Sequence, residues 1–361
     1  MTRIAVVGAG KTGRGFIGRL LQEDGQAILF VDKNQALVDA LNSRQHYRVR
    51  FFGQARAPLV MDHYIARTWE NADLSDVNLI FVSVGGSNLA AVGAQLAAKL
   101  DTNKSHYIIT CENAAHPAQT LSEAMGSLQV FVSESTVFCT TVEDGDLDIA
   151  SENYPDLICN AAQLAGYQPN IRGIRPIEGF ADFLTRKLFT YNAASCVIAY
   201  LGWLRGYEIY GDAANDPQIL KLLDRNYAAT NQALCAEFGY PPEDQAAFAA
   251  LSRTKFLDRS ITDTIARNAR EPQRKLGPNE RIIGPLRLIA RHHGDISVLV
   301  MTAAAMLLYD APDETEWRQI KLEKSCGQIL TGLCGLENND DLYQAILEQV
   351  EVLARQKRGH I

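Results

Sequence analysis

The sequence predicts an α/β protein in which a doubly wound, mostly parallel sheet is followed by an all-helical second domain. Residues 4–16 read as a strand, a glycine turn and the start of a helix. Short apolar runs then alternate with helical patterns, as in sheets that carry helices on both faces. From about residue 184 only helical periodicity remains. We therefore expect two domains, residues 1–183 and 184–361.

The composition is ordinary for a soluble globular protein. A length of 361 residues suits about two domains. A formal charge of −7 disfavours nucleic acid and anionic membranes as partners. The seven cysteines are scattered, with no CxxC pair, which indicates reduced thiols and neither a disulfide framework nor a zinc site. We see no secretory leader and no apolar stretch of membrane-spanning length, so we expect a cytoplasmic location.

The opening segment has the spacing of a dinucleotide-binding turn. Gly8 ends the first strand, Gly10 lets the backbone approach a pyrophosphate, and Gly13 lets the next helix pack on the strand. A second apolar run ends at Asp32, nineteen residues after Gly13, where a carboxylate binds the ribose hydroxyls of NAD and repels a 2′-phosphate. Lys33 follows at once, so NADP is disfavoured without being excluded. The pattern predicts a Rossmann-type domain that binds NAD; the alternative is a glycine turn of another α/β protein.

Further apolar runs complete the predicted sheet, and residues 89–100 read as a helix between two of them. The runs have the length and composition of buried strands: 27–31, 78–84, 107–111 and 129–132. Ligands collect at the carboxyl ends of parallel strands and at helix N-termini. We therefore add Val84, Lys11 and Thr12 to the residues expected to contact the cofactor.

The second half reads as helices throughout. Helical periodicity covers five segments: 186–205, 218–238, 242–251, 285–309 and 340–355. No linker rich in Gly and Ser separates the halves, which predicts an active site in the cleft between the domains.

A dinucleotide supplies hydride chemistry, so the protein must move a proton and stabilise an oxyanion. The sequence has no Tyr followed by Lys four residues later and no Cys/His cluster with zinc spacing. Lys187 instead precedes a very apolar helix, where partial burial would lower its pKa toward neutrality, as a general base requires. The alternative is a surface lysine whose amine reaches solvent.

Three polar residues could accompany this lysine. Asn192 and Ser195 share a helix face, but at about 100° per residue Lys187 and Asn192 are about 140° apart. Asn192 could equally be a core amide with its hydrogen bonds satisfied. Asn113 follows a predicted strand and could donate an amide N–H to a developing alkoxide, or simply form a turn.

A basic cluster lies in this otherwise acidic chain, with Pro272 breaking the helix in its middle. Its members are Arg267, Arg270, Arg274, Lys275 and Arg281. Guanidinium groups suit a phosphate monoester or a carboxylate. The alternative is a solvated basic face paired with Glu271 and Glu280.

These blocks together resemble the polyol-specific long-chain dehydrogenase/reductase family, which includes the mannitol dehydrogenases. The similarity spans nearly the whole chain, and its most specific part surrounds the lysine. The matching segments are 8–18, 111–113, 186–192, 199–202 and 267–276.

The resemblance implies a metal-free, NAD-dependent and monomeric oxidoreductase. Lys187 would be the general acid and base, and Asn113 with Asn192 would form the oxyanion hole. The basic loop would hold the phosphate of a linear polyol phosphate resembling mannitol 1-phosphate. The product would be a ketose phosphate resembling fructose 6-phosphate.

Two positions depart from the family pattern. Ser195 stands where the family usually has a histidine eight residues after the lysine, and Val137-Phe138 stands where it tends to have Asp-Arg. A hydroxyl donates a hydrogen bond but does not titrate near neutral pH, so Ser195 must orient substrate or tune the lysine differently. The alternatives are an enzyme of an unphosphorylated polyol or a hexuronate, and a nucleotide-binding protein without activity.

Overall fold

The computed structural model describes residues 4–53, 56–114, 116–126 and 128–358. The chain forms two compact units, residues 1–180 and 181–361. This division lies three residues before the one placed from the sequence. Each unit has its own hydrophobic interior.

The described residues of the first unit form the strands β1 (Ile4–Val7), β2 (Ile28–Val31), β3 (Tyr47–Phe51), β4 (Leu59–Met61), β5 (Tyr64–Arg67), β6 (Leu79–Val82), β7 (His106–Thr110), β8 (Val130–Thr136), β9 (Thr141–Glu143), β10 (Ile149–Ser151), β11 (Leu157–Asn160) and β12 (Ile174–Ile177). Eight of them form the main sheet, in the order β12-β11-β8-β7-β6-β1-β2-β5. Every neighbouring pair in it is parallel except β8 with β11.

Strand β1 lies where the strand order reverses. Its register pairs Val6 with Phe30 of β2 on one side and with Phe81 of β6 on the other. Successive side chains point to opposite faces, so Val6 belongs to one buried cluster while Ala5 and Val7 belong to another. Such a reversal opens a crevice at the carboxyl ends of the strands.

Helices cover this sheet and confirm the predicted fold class. The glycine turn leads into a π-helical segment, Gly13–Gly18, which continues as α1 (Arg19–Glu23). The others are α2 (Gln35–Arg44), α3 (Leu89–Ala97) and α4 (Pro117–Met125). The helix predicted at 89–100 is therefore correct at its start and three residues too long at its end.

A second sheet, in the order β4-β3-β10-β9, was not predicted. Strands β3 and β10 are parallel neighbours although they are far apart in the sequence, as the pair Val49–Ile149 shows. This sheet packs against the helix of the glycine turn: a Cβ on Gly15 would come within 2.4 Å of Ile149. It therefore supports the segment that follows the turn.

The second unit is helical, with a single isolated β-bridge, Ile209–Thr264, among its described residues. Helices α6 and α13 are almost wholly buried and form its centre. The helices are α5 (Phe180–Lys187), α6 (Ala193–Leu204), α7 (Tyr210–Ala214), α8 (Pro217–Phe238), α9 (Pro242–Leu257), α10 (Ile265–Asn268), α11 (Pro272–Lys275), α12 (Ile283–Arg291), α13 (Ser297–Leu308), α14 (Thr315–Glu323), α15 (Cys326–Gly332) and α16 (Asp341–Arg358).

Three of the helices predicted for this unit were wrong in their extent: 186–205 contains a π-helical segment, 242–251 continues to Leu257, and 285–309 is divided. The segment 285–309 forms two helices, α12 and α13, with His293 in the left-handed region (φ 56°) between them. The amides of His293 and Gly294 close the end of α12 on the carbonyls of Ala290 and Ile289. Among the residues described, no helix combines the length and apolarity needed to cross a bilayer.

Candidate functional site

The first unit contains a pocket of about 710 Å³ at the carboxyl ends of β1 and β6. This volume is within the range of about 300–1,000 Å³ found for small-molecule sites. Six of the seven residues predicted to contact a cofactor line it: Gly8, Gly10, Lys11, Thr12, Asp32 and Val84. The seventh, Gly13, lies behind the turn.

The three glycines of the turn have distinct roles. Gly8 has a φ of +95°, and a Cβ there would be 2.0 Å from the carbonyl oxygen of Ser83. A Cβ on Gly13 would be 1.9 Å from the carbonyl oxygen of Gly8. Gly10 has no atom within 4 Å of its Cβ position, so the turn is open on the side of the pocket. This is the cradle that a pyrophosphate needs at a helix N-terminus.

The carboxylate of Asp32 is oriented by backbone donors. One oxygen accepts a hydrogen bond from Ala9 N at 2.7 Å, and the other accepts one from Asn34 N at 2.9 Å. Each carboxylate oxygen can accept a second bond, so the group remains able to bind ribose hydroxyls. The turn and Asp32 together fit a dinucleotide.

The loop after β6 forms another wall. Val84 faces the pocket, but its backbone is engaged: its N–H donates to Glu112 at 2.5 Å and its carbonyl accepts from Asn88 at 2.7 Å. Val84 therefore offers only its side chain to a ligand.

Sequence reasoning missed other lining residues, including Trp69, Asn88, Gln95 and Glu112. Trp69 follows β5. Because this strand was not predicted, Trp69 was not expected at the end of the sheet that carries the pocket. The sequence could have indicated Glu112 as a lining residue, because it is next to Asn113 at the end of a predicted strand. Asn113 itself is exposed and lines the pocket, and no described residue hydrogen-bonds its side chain.

In the second unit, Lys187 is the last residue of α5 and is only partly exposed. Loss of hydration is the main cause that lowers the pKa of its ammonium to about 7. The positive charges of Lys255 and Arg281 lower this pKa further. An amine with this pKa can accept and return a proton near neutral pH.

A π-helical segment, Leu188–Asn192, follows the lysine directly. The α-helical spacing assumed from the sequence is therefore wrong at this point. A π turn closes hydrogen bonds between residues five apart, so each residue rotates less about the axis than in an α-helix. Asn192 thus lies nearer to the face that carries Lys187 than the 140° expected for an α-helix.

The residue before the lysine anchors this helix. The Arg186 guanidinium lies over the rings of Tyr240 and Phe248, 4.4 and 4.3 Å from their centroids. It also donates to Gln245 at 2.7 Å and pairs with Asp244 at 2.8 Å. Gln245 in turn donates to the Thr190 hydroxyl of the π segment at 3.1 Å. These contacts fix the backbone on both sides of Lys187.

Asn192 and Ser195 differ in their surroundings. Ser195 accepts a hydrogen bond from the buried Tyr210 hydroxyl at 3.3 Å. No described residue hydrogen-bonds the Asn192 side chain, which is partly exposed. Its amide is therefore available to a ligand.

The basic cluster is divided among different partners. Arg267 pairs with Asp263 at 3.3 Å, Arg274 with Glu271 at 2.6 Å and Arg281 with Glu280 at 3.1 Å. The Lys275 amine is buried, donates to the Asn268 carbonyl at 2.6 Å, and has its pKa lowered to about 8 by burial.

Arg270 is the arginine of this cluster that pairs with no acid among the described residues. It is exposed, donates to the Arg267 carbonyl at 3.3 Å and forms no ion pair with any described residue. Pro272 starts α11, so the helix is interrupted between Arg270 and Arg274 as predicted. Within the described ranges, no three His, Cys, Asp or Glu side chains are grouped so that they could hold a metal.

Comparison with known proteins agrees with this arrangement. Residues 2–154 match the mannitol dehydrogenase Rossmann domain, and residues 180–356 match the mannitol dehydrogenase C-terminal domain. Mannitol-1-phosphate 5-dehydrogenase of Bacillus pumilus (strain SAFR-032) is 30% identical over 95% of this chain and 98% of its own. The chain belongs to the mannitol dehydrogenase family. The resemblance inferred from the sequence is thereby confirmed.

Other relatives extend the comparison. Mannitol-1-phosphate 5-dehydrogenase of Bacillus subtilis (strain 168) is 27% identical over 95% of this chain and 98% of its own. In fold, the family member resembles a substrate-free D-sorbitol dehydrogenase, with a TM-score of 0.79, 14% identity, and coverage of 98% of this chain and 93% of the other. It also resembles Pseudomonas fluorescens mannitol 2-dehydrogenase in a ternary complex with NAD and D-mannitol, with a TM-score of 0.70, 11% identity, and coverage of 97% and 91%.

Proposed function

We propose that the protein is a NAD-dependent dehydrogenase that interconverts a linear polyol phosphate and a ketose phosphate. The observation that carries the proposal is Lys187, a partly buried amine whose pKa is lowered to about 7, in a chain whose first unit has a dinucleotide-binding turn. Membership of the mannitol dehydrogenase family supports the reaction class.

The pocket of the first unit supports NAD as the cofactor. The open side of Gly10 leaves room for a pyrophosphate, and the N–H groups of the first helical turn face it with the positive end of the helix dipole. Asp32 would bind the ribose hydroxyls and repel a 2′-phosphate. Lys33 lines the same pocket, so the preference for NAD rests on Asp32.

In the proposed mechanism Lys187 moves the proton. NAD, when bound, supplies the hydride acceptor for oxidation, and its reduced form supplies the hydride for reduction. During oxidation the neutral Lys187 amine removes the hydroxyl proton, and during reduction its ammonium returns it. The amides of Asn113 and Asn192 would donate hydrogen bonds to the oxygen as it gains negative charge.

The basic loop supports a phosphorylated substrate, as do the relatives named mannitol-1-phosphate 5-dehydrogenase. We assign the main contact to Arg270, since Arg274 and Arg281 are paired with acids. Ser195 and the remaining basic residues, Arg267, Arg274 and Lys275, would shape the substrate site around it.

Replacing Arg270 with Ala should raise KM for the phosphorylated substrate about tenfold to a hundredfold, because a charge-assisted contact to phosphate is lost. KM for the matching unphosphorylated polyol should stay the same. Arg274→Ala is the control and should have the smaller effect, because Glu271 already engages that guanidinium. Equal KM changes for both substrates in steady-state assays would contradict a phosphate contact at Arg270.

A second candidate, a dehydrogenase of unphosphorylated polyols, is favoured by the acids paired with Arg267, Arg274 and Arg281. Consumption of NADH across a panel of ketose phosphates and free ketoses separates the two. A hexuronate belongs in the same panel, since a carboxylate also suits arginine. Absence of turnover with every compound would reject both proposed activities. The remaining hypothesis would then be a nucleotide-binding protein without activity.

The rate of polyol oxidation should rise with pH through about 7 and then level off. Lys187 must be neutral to accept the proton, and it becomes neutral above its lowered pKa. Ketone reduction requires the ammonium, so its rate should fall over the same range. The measurement is kcat/KM against pH in each direction.

The same profile tests how the pKa of Lys187 is set. Lys255→Gln removes one of the two cations that lower this pKa, so the midpoint should move to higher pH. Lys221, an exposed lysine of α8, provides the matched control Lys221→Gln. A profile without a transition near neutral pH would exclude Lys187 as the titrating group.

A further inference from the structure

The carboxylate of Glu112 supports the loop between β6 and α3. Glu112 comes two residues after β7, and one of its oxygens accepts hydrogen bonds from both Val84 N at 2.5 Å and Gly85 N at 2.8 Å. Two backbone amides of this loop are thus held by a single side chain from the segment that follows β7. Glu112 also lines the nucleotide pocket.

This loop has few other constraints of its own. Gly85 lies in the left-handed region (φ +84°), which favours glycine, and Asn88 closes the loop by donating to the Val84 carbonyl. On the other side, a Cβ on Gly86 would come within 2.8 Å of the Ala114 methyl group. The loop therefore packs closely on the segment that follows Glu112, and no strand partner takes the amides of Val84 and Gly85.

The charge of Glu112 makes a direct role in binding phosphate unfavourable. Desolvation raises the pKa of its carboxyl group more than the two amide donors lower it. The carboxylate would repel the phosphates of a dinucleotide, and it occupies two N–H groups that could otherwise bind an anion. In this pocket, the N–H groups suited to a pyrophosphate lie in the glycine turn beyond Ala9, whose own N–H donates to Asp32.

We propose that Glu112 is a positioning residue for cofactor binding, which holds residues 83–88 in the conformation that forms one wall of the dinucleotide pocket. By engaging the amides of Val84 and Gly85, it leaves the pyrophosphate to the glycine turn. This inference rests on the proposed binding of NAD, and it adds a residue that the reaction itself does not use.

Hydrogen exchange of the dinucleotide-free protein tests the loop directly. In Glu112→Ala, amides of residues 83–88 should exchange about tenfold faster or more, because two bonds to a charged acceptor are lost. Glu112→Gln keeps an acceptor oxygen and should exchange nearly as the wild type does. Amides of β1 and β2 report that each variant is folded. Glu123→Ala, at an exposed glutamate of α4, is the matched control and should change nothing.

Calorimetric titration with NAD tests the consequence for binding. Glu112→Ala should bind NAD about tenfold more weakly or worse, and Glu112→Gln should recover most of the affinity. Wild-type affinity in Glu112→Ala, or a glutamine variant as impaired as alanine in either measurement, would overturn the positioning role. A wild-type protein that does not bind NAD would reject the proposed function. Unchanged exchange of residues 83–88 in Glu112→Ala would overturn the inference even if NAD binds.

Discussion

Replacing Lys187 with Ala should lower the rate of polyol oxidation by about 10²- to 10⁴-fold, the contribution of a positioned general base. The hydroxyl proton would then have no acceptor, while the residues proposed to bind the dinucleotide stay intact. Initial rates of NADH formation measure the loss, and calorimetry measures NAD binding, which should be unchanged.

Two further variants separate loss of the amine from loss of packing. Lys187→Met keeps most of the side-chain volume without a titratable group and should be as inactive as the alanine variant. Lys221→Met, at an exposed position of α8, should retain full activity. A small primary amine added to Lys187→Ala should restore part of the rate. Turnover of Lys187→Met within tenfold of the wild type would remove the lysine from the mechanism.

Alanine should leave stability almost unchanged at Gly10 and lower it at Gly13. The Cβ of Gly10→Ala would enter open space beside the pocket, at a backbone conformation that other residues adopt. The variant should unfold at nearly the wild-type temperature but bind NAD at least about tenfold more weakly, because the methyl group occupies the approach of the pyrophosphate. Thermal unfolding and calorimetric titration measure the two effects.

At Gly13 a Cβ would be 1.9 Å from the carbonyl oxygen of Gly8. The helix and the turn must separate, so Gly13→Ala should lose stability by about 1–3 kcal/mol and also lose NAD binding. The two glycines thus act as controls for each other. Undiminished NAD binding by Gly10→Ala would indicate that the dinucleotide does not pass over this turn.

Much of the fold follows from local sequence signals. The glycine turn, the acid at residue 32 and the apolar runs of β1, β2, β6, β7 and β8 are each contained within a few residues. The helices of the second half likewise show their own periodicity. Seven strands were not predicted: β3, β4, β5, β9, β10, β11 and β12. The pairing of β3 with β10 joins segments about 100 residues apart, which no local pattern contains.

Parts of the candidate site depended on contacts that no local pattern contains. The π segment after Lys187 changes the direction in which Asn192 points. Within this segment, the Thr190 hydroxyl accepts a hydrogen bond from Gln245 of another helix. Glu112 serves two amides that precede it by almost thirty residues. The sequence does not show which members of the basic cluster form ion pairs. The structure shows that Arg274 pairs with Glu271, whereas Arg270 bonds only a backbone carbonyl among the described residues.

By itself the sequence determined the class of the protein: a strand, glycine turn and acid that suit a dinucleotide, and a lysine that precedes an apolar helix. These depend on backbone conformation and on the polarity of near neighbours, which a short segment specifies alone. Tertiary structure decided how strongly that lysine is desolvated, which cations lower its pKa, and which guanidinium remains without an acid. Those properties come from groups far apart in the chain, because hydration and charge act through space.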